Sequence, residues 1–323
     1  MTRLLTGVLI LGAARLLLAK SPALPADPPK VLWQAPPPMT VRDWICGPGG
    51  CGRTPAPPFR FLREDLTEST AKVLVRDAHG LTWSVKFGAK TIPECFSSRF
   101  VAAVGYLAEP TYCVGSGSIT SAHGLRRAGR FLKNGRFTKA RFELRGQSDL
   151  VFLEGHTWAW NDNPFLGTHE LAGLKIVMML LSNWDAKDAR EGDDTNTGVF
   201  QHPGRRGPEL LYSVFDWGST LGRWGTVLRR DQSDCSGYAR DSASFIRSVQ
   251  SGAIQWGYWG KHGADVTTGI SLSDVRWLMP YLERITPQEI HAGLQASGAT
   301  PRQTACWTWG IENRIAQLKA IAN

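Results

Sequence analysis

Several signatures of common chemistry are missing from this chain of 323 residues. There is no GxSxG for a serine nucleophile, no HExxH for zinc and no Walker loop for nucleotide phosphates. His169-Glu170 opens a zinc-protease pattern, but Gly173 stands where its second His belongs. Gly47 to Gly52 spells GxGxxG, yet Pro48 and Cys51 fill it and no strand-helix unit surrounds it, which excludes a dinucleotide loop. Internal repeats are absent. Cysteine is scarce, and a chain of this length with only six needs no disulfide framework to fold. Cys46 and Cys51 bracket Gly47-Pro48-Gly49-Gly50, a flexible turn that suits a small loop disulfide; with no second Cys/His pair to follow, zinc fits poorly. Cys95, Cys113, Cys235 and Cys306 are scattered and read as small buried hydrophobes.

Long apolar runs are also few. After Met1-Thr2-Arg3 comes LLTGVLILGAARLLLA, interrupted at Arg15 and short of the roughly twenty apolar residues that a spanning helix wants. Residues 1–26 therefore read as an export signal, with cleavage candidates after Ala19 and Ala26 and an uncleaved N-terminal membrane tether as the alternative. The expectation is an exported protein: periplasmic, secreted or membrane-tethered.

What is present excludes disorder as the main state. Hydrophobic residues make up 42% of the chain and include thirteen Trp, and thirteen Phe add further large side chains that gain by burial. Basic residues outnumber acidic ones by 37 to 28, so the surface attracts phosphate, anionic lipid or acidic protein without choosing among them.

Composition divides the chain. Residues 27–65 carry DPP, APPP and PAPP and read as an extended Pro-rich leader holding the Cys46/Cys51 turn, with Trp33 and Trp44 available to dock it. Residues 66–150 read as a strand-rich lobe. There KVLVRD and LTWSVKFG alternate on either side of His79-Gly80, which predicts a hairpin, and Pro93 to Val104 reads as a helix with Phe96, Phe100, Val101 and Val104 on one face. TYCVG and RFTKARFELRG add strands. Residues 151–323 read as mainly helical. Thr168 caps a helix that is apolar almost all round, and Thr286-Pro287-Gln288-Glu289 and Thr300-Pro301-Arg302-Gln303 are two capping boxes with Pro at the first helical position.

One ordered series of polar residues carries chemistry: Lys86 at a strand end, Glu94 in the next helix, then Asp185, Asn196 and Asp216 in the second lobe. Phosphoryl transfer needs a cation on nucleotide phosphates, an acid to fix that cation, a base for the acceptor and oxygen ligands for magnesium. These five residues can fill those roles, with Lys86 and Glu94 as an ion pair. On these motifs the sequence resembles atypical branches of the protein-kinase-like superfamily: phosphatidylinositol kinases, HipA-type toxin kinases and secretory-pathway kinases. The likeness extends to bacterial exported proteins containing W-S-V-K-F-G, S-N-W-D and D-W-G.

The resemblance implies an α+β, two-lobed protein-kinase-like fold with a strand-rich N-lobe and a mainly helical C-lobe. It also implies ATP and Mg as cofactors. Lys86 matches the strand lysine, Glu94 the helix glutamate, Asp185 the catalytic-loop aspartate, Asn196 the magnesium-binding asparagine and Asp216 in VFDWG the metal-binding aspartate. The loop from Asp185 to Asn196 is longer than the usual spacing, which leaves Asp188, Asp193 and Asp194 as alternative ligands. An HRD sequence and a Gly-rich loop are missing, so Thr67-Glu68-Ser69-Thr70 would cover the phosphates, with Ser69 and Thr70 as the hydroxyl donors. The same departures suit a pseudokinase scaffold or binding protein of the cell envelope, the alternative reading. The acceptor, whether protein, lipid or small molecule, is not specified. A basic run with interleaved Phe over 126–145 is compatible with nucleic acid, but a solvated strand-loop-strand is preferred and a nucleic-acid partner is disfavoured.

Overall fold

The computed structural model describes residues 28–67, 70–146, 149–204, 207–224 and 233–323. The export-signal segment 1–26 lies outside them. In chain order the strands are β1 (Lys30–Val31), β2 (Phe59–Asp65), β3 (Lys72–Arg76), β4 (Thr82–Lys86), β5 (Thr111–Val114), β6 (Gly117–Thr120), β7 (Arg136–Phe137), β8 (Ala140–Arg145), β9 (Val151–Phe152), β10 (Thr197–His202), β11 (Glu209–Val214), β12 (Ile246–Gln250) and β13 (Ala253–Trp256). The helices are α1 (Val41–Cys46), α2 (Thr91–Ala103), α3 (His169–Leu180), α4 (Cys235–Ser242), α5 (Gly263–Thr267), α6 (Leu272–Leu282), α7 (Pro287–Ala296) and α8 (Pro301–Ala322).

The first lobe is a seven-stranded sheet in the order β5-β8-β4-β3-β2-β6-β7, antiparallel except where β2 meets β6. Its period-two pattern buries Val73, Val75, Trp83, Val85, Tyr112 and Phe142 on one face. The hairpin turn is built by Asp77, whose carboxylate accepts the N–H groups of His79 and Leu81 at 2.9 Å and the Trp83 indole N–H at 2.9 Å. Helix α2 begins at Thr91, so Pro93 stands two residues inside it, where its missing N–H is still one of the helix's unused donors. A disulfide joins Cys95 of α2 to Cys113 of β5, so these two are not the isolated buried thiols that their spacing implied; pairing across 18 residues carries no local sequence signal.

The Pro-rich segment is woven into both lobes rather than leading into them. β2 is a full member of the sheet, which places the lobe's start near Phe59, and β1 pairs in parallel with β11 in the second lobe. Between them, the Trp33 indole donates to Val104 O at 2.7 Å, the Cys46–Cys51 disulfide closes its turn, and buried Arg99 of α2 donates to Trp44 O at 2.7 Å and Ile45 O at 3.1 Å. Proline supplies extended backbone and the aromatic side chains supply the anchorage.

In the second lobe a four-stranded sheet, β1-β11-β10-β9, lies beside the helices. α3 is buried almost throughout, and α6, α7 and α8 each start on a capping box, including the two legible at Thr286 and Thr300. α3 ends in the core, where its last carbonyls need donors from the rest of the chain. Arg314 of α8 satisfies them, donating to Met179 O at 2.9 Å and Leu180 O at 3.0 Å, and Tyr238 donates its hydroxyl to Leu180 O at 2.7 Å. Among the described residues no helix is long and apolar enough to cross a membrane.

Replacing Arg314 with Met keeps the side chain's length and removes the guanidinium donors, leaving Met179 O with the Ser182 N–H and Leu180 O with the Tyr238 hydroxyl. A loss of about 3 kcal/mol in urea unfolding is expected; a change within error would remove Arg314 as the helix stop.

Candidate active site between the sheet and the helical lobe

Pairing register puts three cations abreast on the sheet face opposite the apolar core. Lys72 lies opposite Lys86, and Lys86 opposite Arg141. Like charges side by side destabilise a sheet unless anions are interleaved. Asp65 meets Lys72 at 3.1 Å, Glu143 meets Arg141 at 2.6 Å, and Glu94, in the first turn of α2, also bonds Arg141. Arg141 is 3% exposed, so this bonding happens out of water, where an unpaired charge is costly. The cation bonded to Glu94 is thus Arg141, a buried member of the basic run over 126–145. Lys86 stands beside it on the same face.

Asp216 follows β11 by two residues and adopts a left-handed conformation, φ 54°, as it enters a short turn over Trp217–Ser219. Trp217 is buried and donates its indole N–H to Val214 O at 2.9 Å, which pins the turn. Gly218 is required there, because a Cβ would lie 2.8 Å from the Lys90 side chain. That close approach lets Lys90, the N-cap of α2, reach the Asp216 carboxylate at 3.1 and 3.4 Å. Burial opposes ionisation of Asp216, but Lys90, Lys86 and Arg141 outweigh it and hold the carboxyl at about 2. Glu109 shows the reverse: burial and the Glu143 charge push it well above the usual carboxylate range, against Arg145 and Lys86.

The third wall is the loop after α3. Ser182 turns the chain with φ 52°, Asn183 Oδ1 accepts the Asp185 N–H at 3.3 Å, and Asn196 Nδ2 donates to Asp185 O at 2.7 Å. Asn196 O then accepts the N–H of Phe215, next to Asp216, at 2.9 Å. The backbone therefore brings Asp185, Asn196 and Asp216 to one place. Lys187 lies 3.8 Å from Asp185 and 2.7 Å from Asp194.

The unusual length of this loop is used internally. Asp188 is fully buried; Arg190 donates to its two oxygens at 2.9 and 2.6 Å, and the Trp160 N–H adds a bond at 3.0 Å. Glu191 meets His262 at 2.9 Å. Asp188, Glu191 and His262 have the donor types of a metal group, but Arg190 already balances the buried carboxylate. Of the phosphate-covering pair, Ser69 lies outside the described residues and Thr70 is half-buried ahead of β3.

No family model matches the chain, and no curated protein does. Among solved structures it is similar to the crystal structure of a Helicobacter pylori proinflammatory kinase, CtkA, with 12% identity over 78% of this chain and 92% of that chain and a TM-score of 0.39.

Whether magnesium and a nucleotide fit these residues is answered by donor chemistry. An ionised Asp216 and the Oδ1 of Asn196 are hard oxygen ligands of the kind magnesium takes, and Lys86 of the sheet lies close enough to bear on the Asp216 charge. Buried polar atoms with no partner among the described residues include Ser84 Oγ on the Lys86 face, Arg141 Nε, Asn183 Nδ2 and Ser219 Oγ. Such atoms are rare in a finished core and mark a place where a bound group or water completes the bonding. The residues fit.

Because the Asp216 carboxyl is held below its ordinary 3.8, its contribution is present above about pH 4 and lost as pH falls toward about 2. Urea unfolding across that window should cost the wild type about 2 kcal/mol more than Asp216→Asn; parallel curves would show that the cations do not stabilise this carboxylate.

Proposed function

We propose that this chain is an ATP- and Mg-dependent phosphotransferase acting on an acceptor hydroxyl. The observation that carries the reading is the convergence of Asp185, Asn196 and Asp216 through the Asn196 amide and the Phe215 N–H, close to the Lys86 cation of the sheet. Bound Mg-ATP would supply the phosphoryl group and the divalent charge. Lys86 holds phosphate oxygens. Glu94 keeps Arg141 in place. Asp216 and Asn196 would hold the metal, offering a carboxylate and an amide oxygen. Asp185 orients the acceptor hydroxyl and takes its proton as the new P–O bond forms and the bond to the leaving diphosphate breaks, and the diphosphate keeps that electron pair. Most of the acceleration would come from positioning and charge neutralisation.

One observation favours a second reading, a scaffold with this fold and no transfer. The Lys90 ammonium already neutralises Asp216, the residue that would hold the metal. An address outside the cytoplasm belongs to the same proposal, and the two disulfides support it.

Thermal unfolding with and without Mg-ATP separates the readings. A magnesium-dependent rise in Tm that is lost in both Lys86→Ala and Asp216→Ala is the expected result. Asp185→Ala should keep that rise and lose transfer by about a thousandfold. No stabilisation by saturating Mg-ATP would refute the enzyme and leave the scaffold.

A further inference from the structure

A cavity of about 370 Å³ opens in the second lobe between the end of α3, the β12–β13 hairpin and the chain that follows the Asp216 turn. Its volume is that of a small-ligand site. Its polar walls are uneven in charge: Arg223, Arg247 and Arg314 against Asp241. Arg314 spends its donors on the α3 carbonyls, Ser182 and Ser242, so its charge is already committed to the fold. Arg223 sits 3.8 Å from Asp241 with half its side chain in water, and Arg247 lies over the Trp259 ring at 5.6 Å. Trp259 is 64% exposed, which for so large an apolar ring is the mark of a contact surface rather than of a core.

This cavity is joined to the proposed site by covalent chain and by hydrogen bonds. Ser182 lines it, and Asp185 is three residues further on, a span of about 11 Å at most for extended chain. Tyr258, also in the lining, donates its hydroxyl to Asn183 O at 2.5 Å. Burial raises that phenol's pKa, and the nearby Asp185 charge raises it further. From the other side, Arg223 and Trp224 follow Asp216 within one short stretch.

We propose that this cavity docks the acceptor, and that the acceptor carries an anionic group, carboxylate or phosphate, on a flat or apolar body that lies against Trp259. Arg247 and Arg223 hold the anion with charge-assisted hydrogen bonds, the Trp259 face holds the body, and the hydroxyl is left to extend toward Asp185. The term acceptor rests on the phosphotransfer reading; the anion site does not.

Calorimetric titration of the full chain with phenyl phosphate, benzoate, inorganic phosphate and benzyl alcohol tests this. Phenyl phosphate or benzoate should bind saturably, more weakly as NaCl is raised, while benzyl alcohol does not bind. Stronger binding of phenyl phosphate than of benzoate would identify a phosphate-bearing acceptor, and the reverse order a carboxylate. Arg247→Gln and Arg223→Gln should each weaken binding about tenfold or more, and Trp259→Ser should bring phenyl phosphate down to the level of inorganic phosphate. All three positions are solvent-facing, so the variants should keep the wild-type Tm and its Mg-ATP shift. If neither anion binds, or both arginine variants bind like the wild type, the anion site is overturned. If Mg-ATP gives no shift while arginine-dependent binding persists, the anion site stands and phosphotransfer falls.

Discussion

Arg141 is the residue on which the geometry of the cleft depends. A guanidinium this deeply buried costs several kcal/mol to desolvate, and only close, well-aligned anions repay that cost. Glu143 on its own strand and Glu94 on α2 both do so. The pairing therefore does more than neutralise charge: it joins the sheet to the N-terminal turn of the helix, whose N-cap is the lysine that reaches Asp216. Loss of one partner leaves the others as uncompensated buried charges, so the group stands or fails together.

The second lobe solves a related problem by setting a buried guanidinium against backbone carbonyls rather than carboxylates. A helix as apolar as α3 can end in the core only if its last carbonyls are met, and Arg314 and Tyr238 meet them. The chain can then leave in the left-handed turn at Ser182 and present Asp185 at the cleft. The Asn196 amide and the Phe215 N–H tie that loop to the strand bearing the acidic turn. Strained or irregular backbone sits where chemistry is proposed and is held by rigid elements on either side.

Sequence made the local features legible. The hairpin around His79, the buried helix after Thr168 and the boxes at Thr286 and Thr300 are each written within a few residues of themselves, by alternation, by apolar periodicity and by side-chain caps. The position of Lys72 opposite Lys86 was also within reach, since a tight hairpin sets its own register. What stayed hidden was nonlocal. Arg141 reaches Lys86 and Glu94 only because β8 inserts beside β4 after three other strands, Lys90 reaches Asp216 across the lobes, and Cys95 finds Cys113 through tertiary placement of α2. The Pro-rich composition of 27–65 described its backbone and not its role, because a few anchoring aromatic residues decided where it packs.

The ion pair between Lys90 and Asp216 makes the acidic turn a site of competition. A cation arriving from solution meets an ammonium that is tethered to the same fold and present at a high effective concentration. A dilute monovalent ion brings no more charge than the lysine and lacks its tether. Displacement therefore favours a divalent ion, or a cation that arrives together with anions able to take up the released lysine. Occupancy of Asp216 by such a cation and release of the Lys90 ammonium would then be one event.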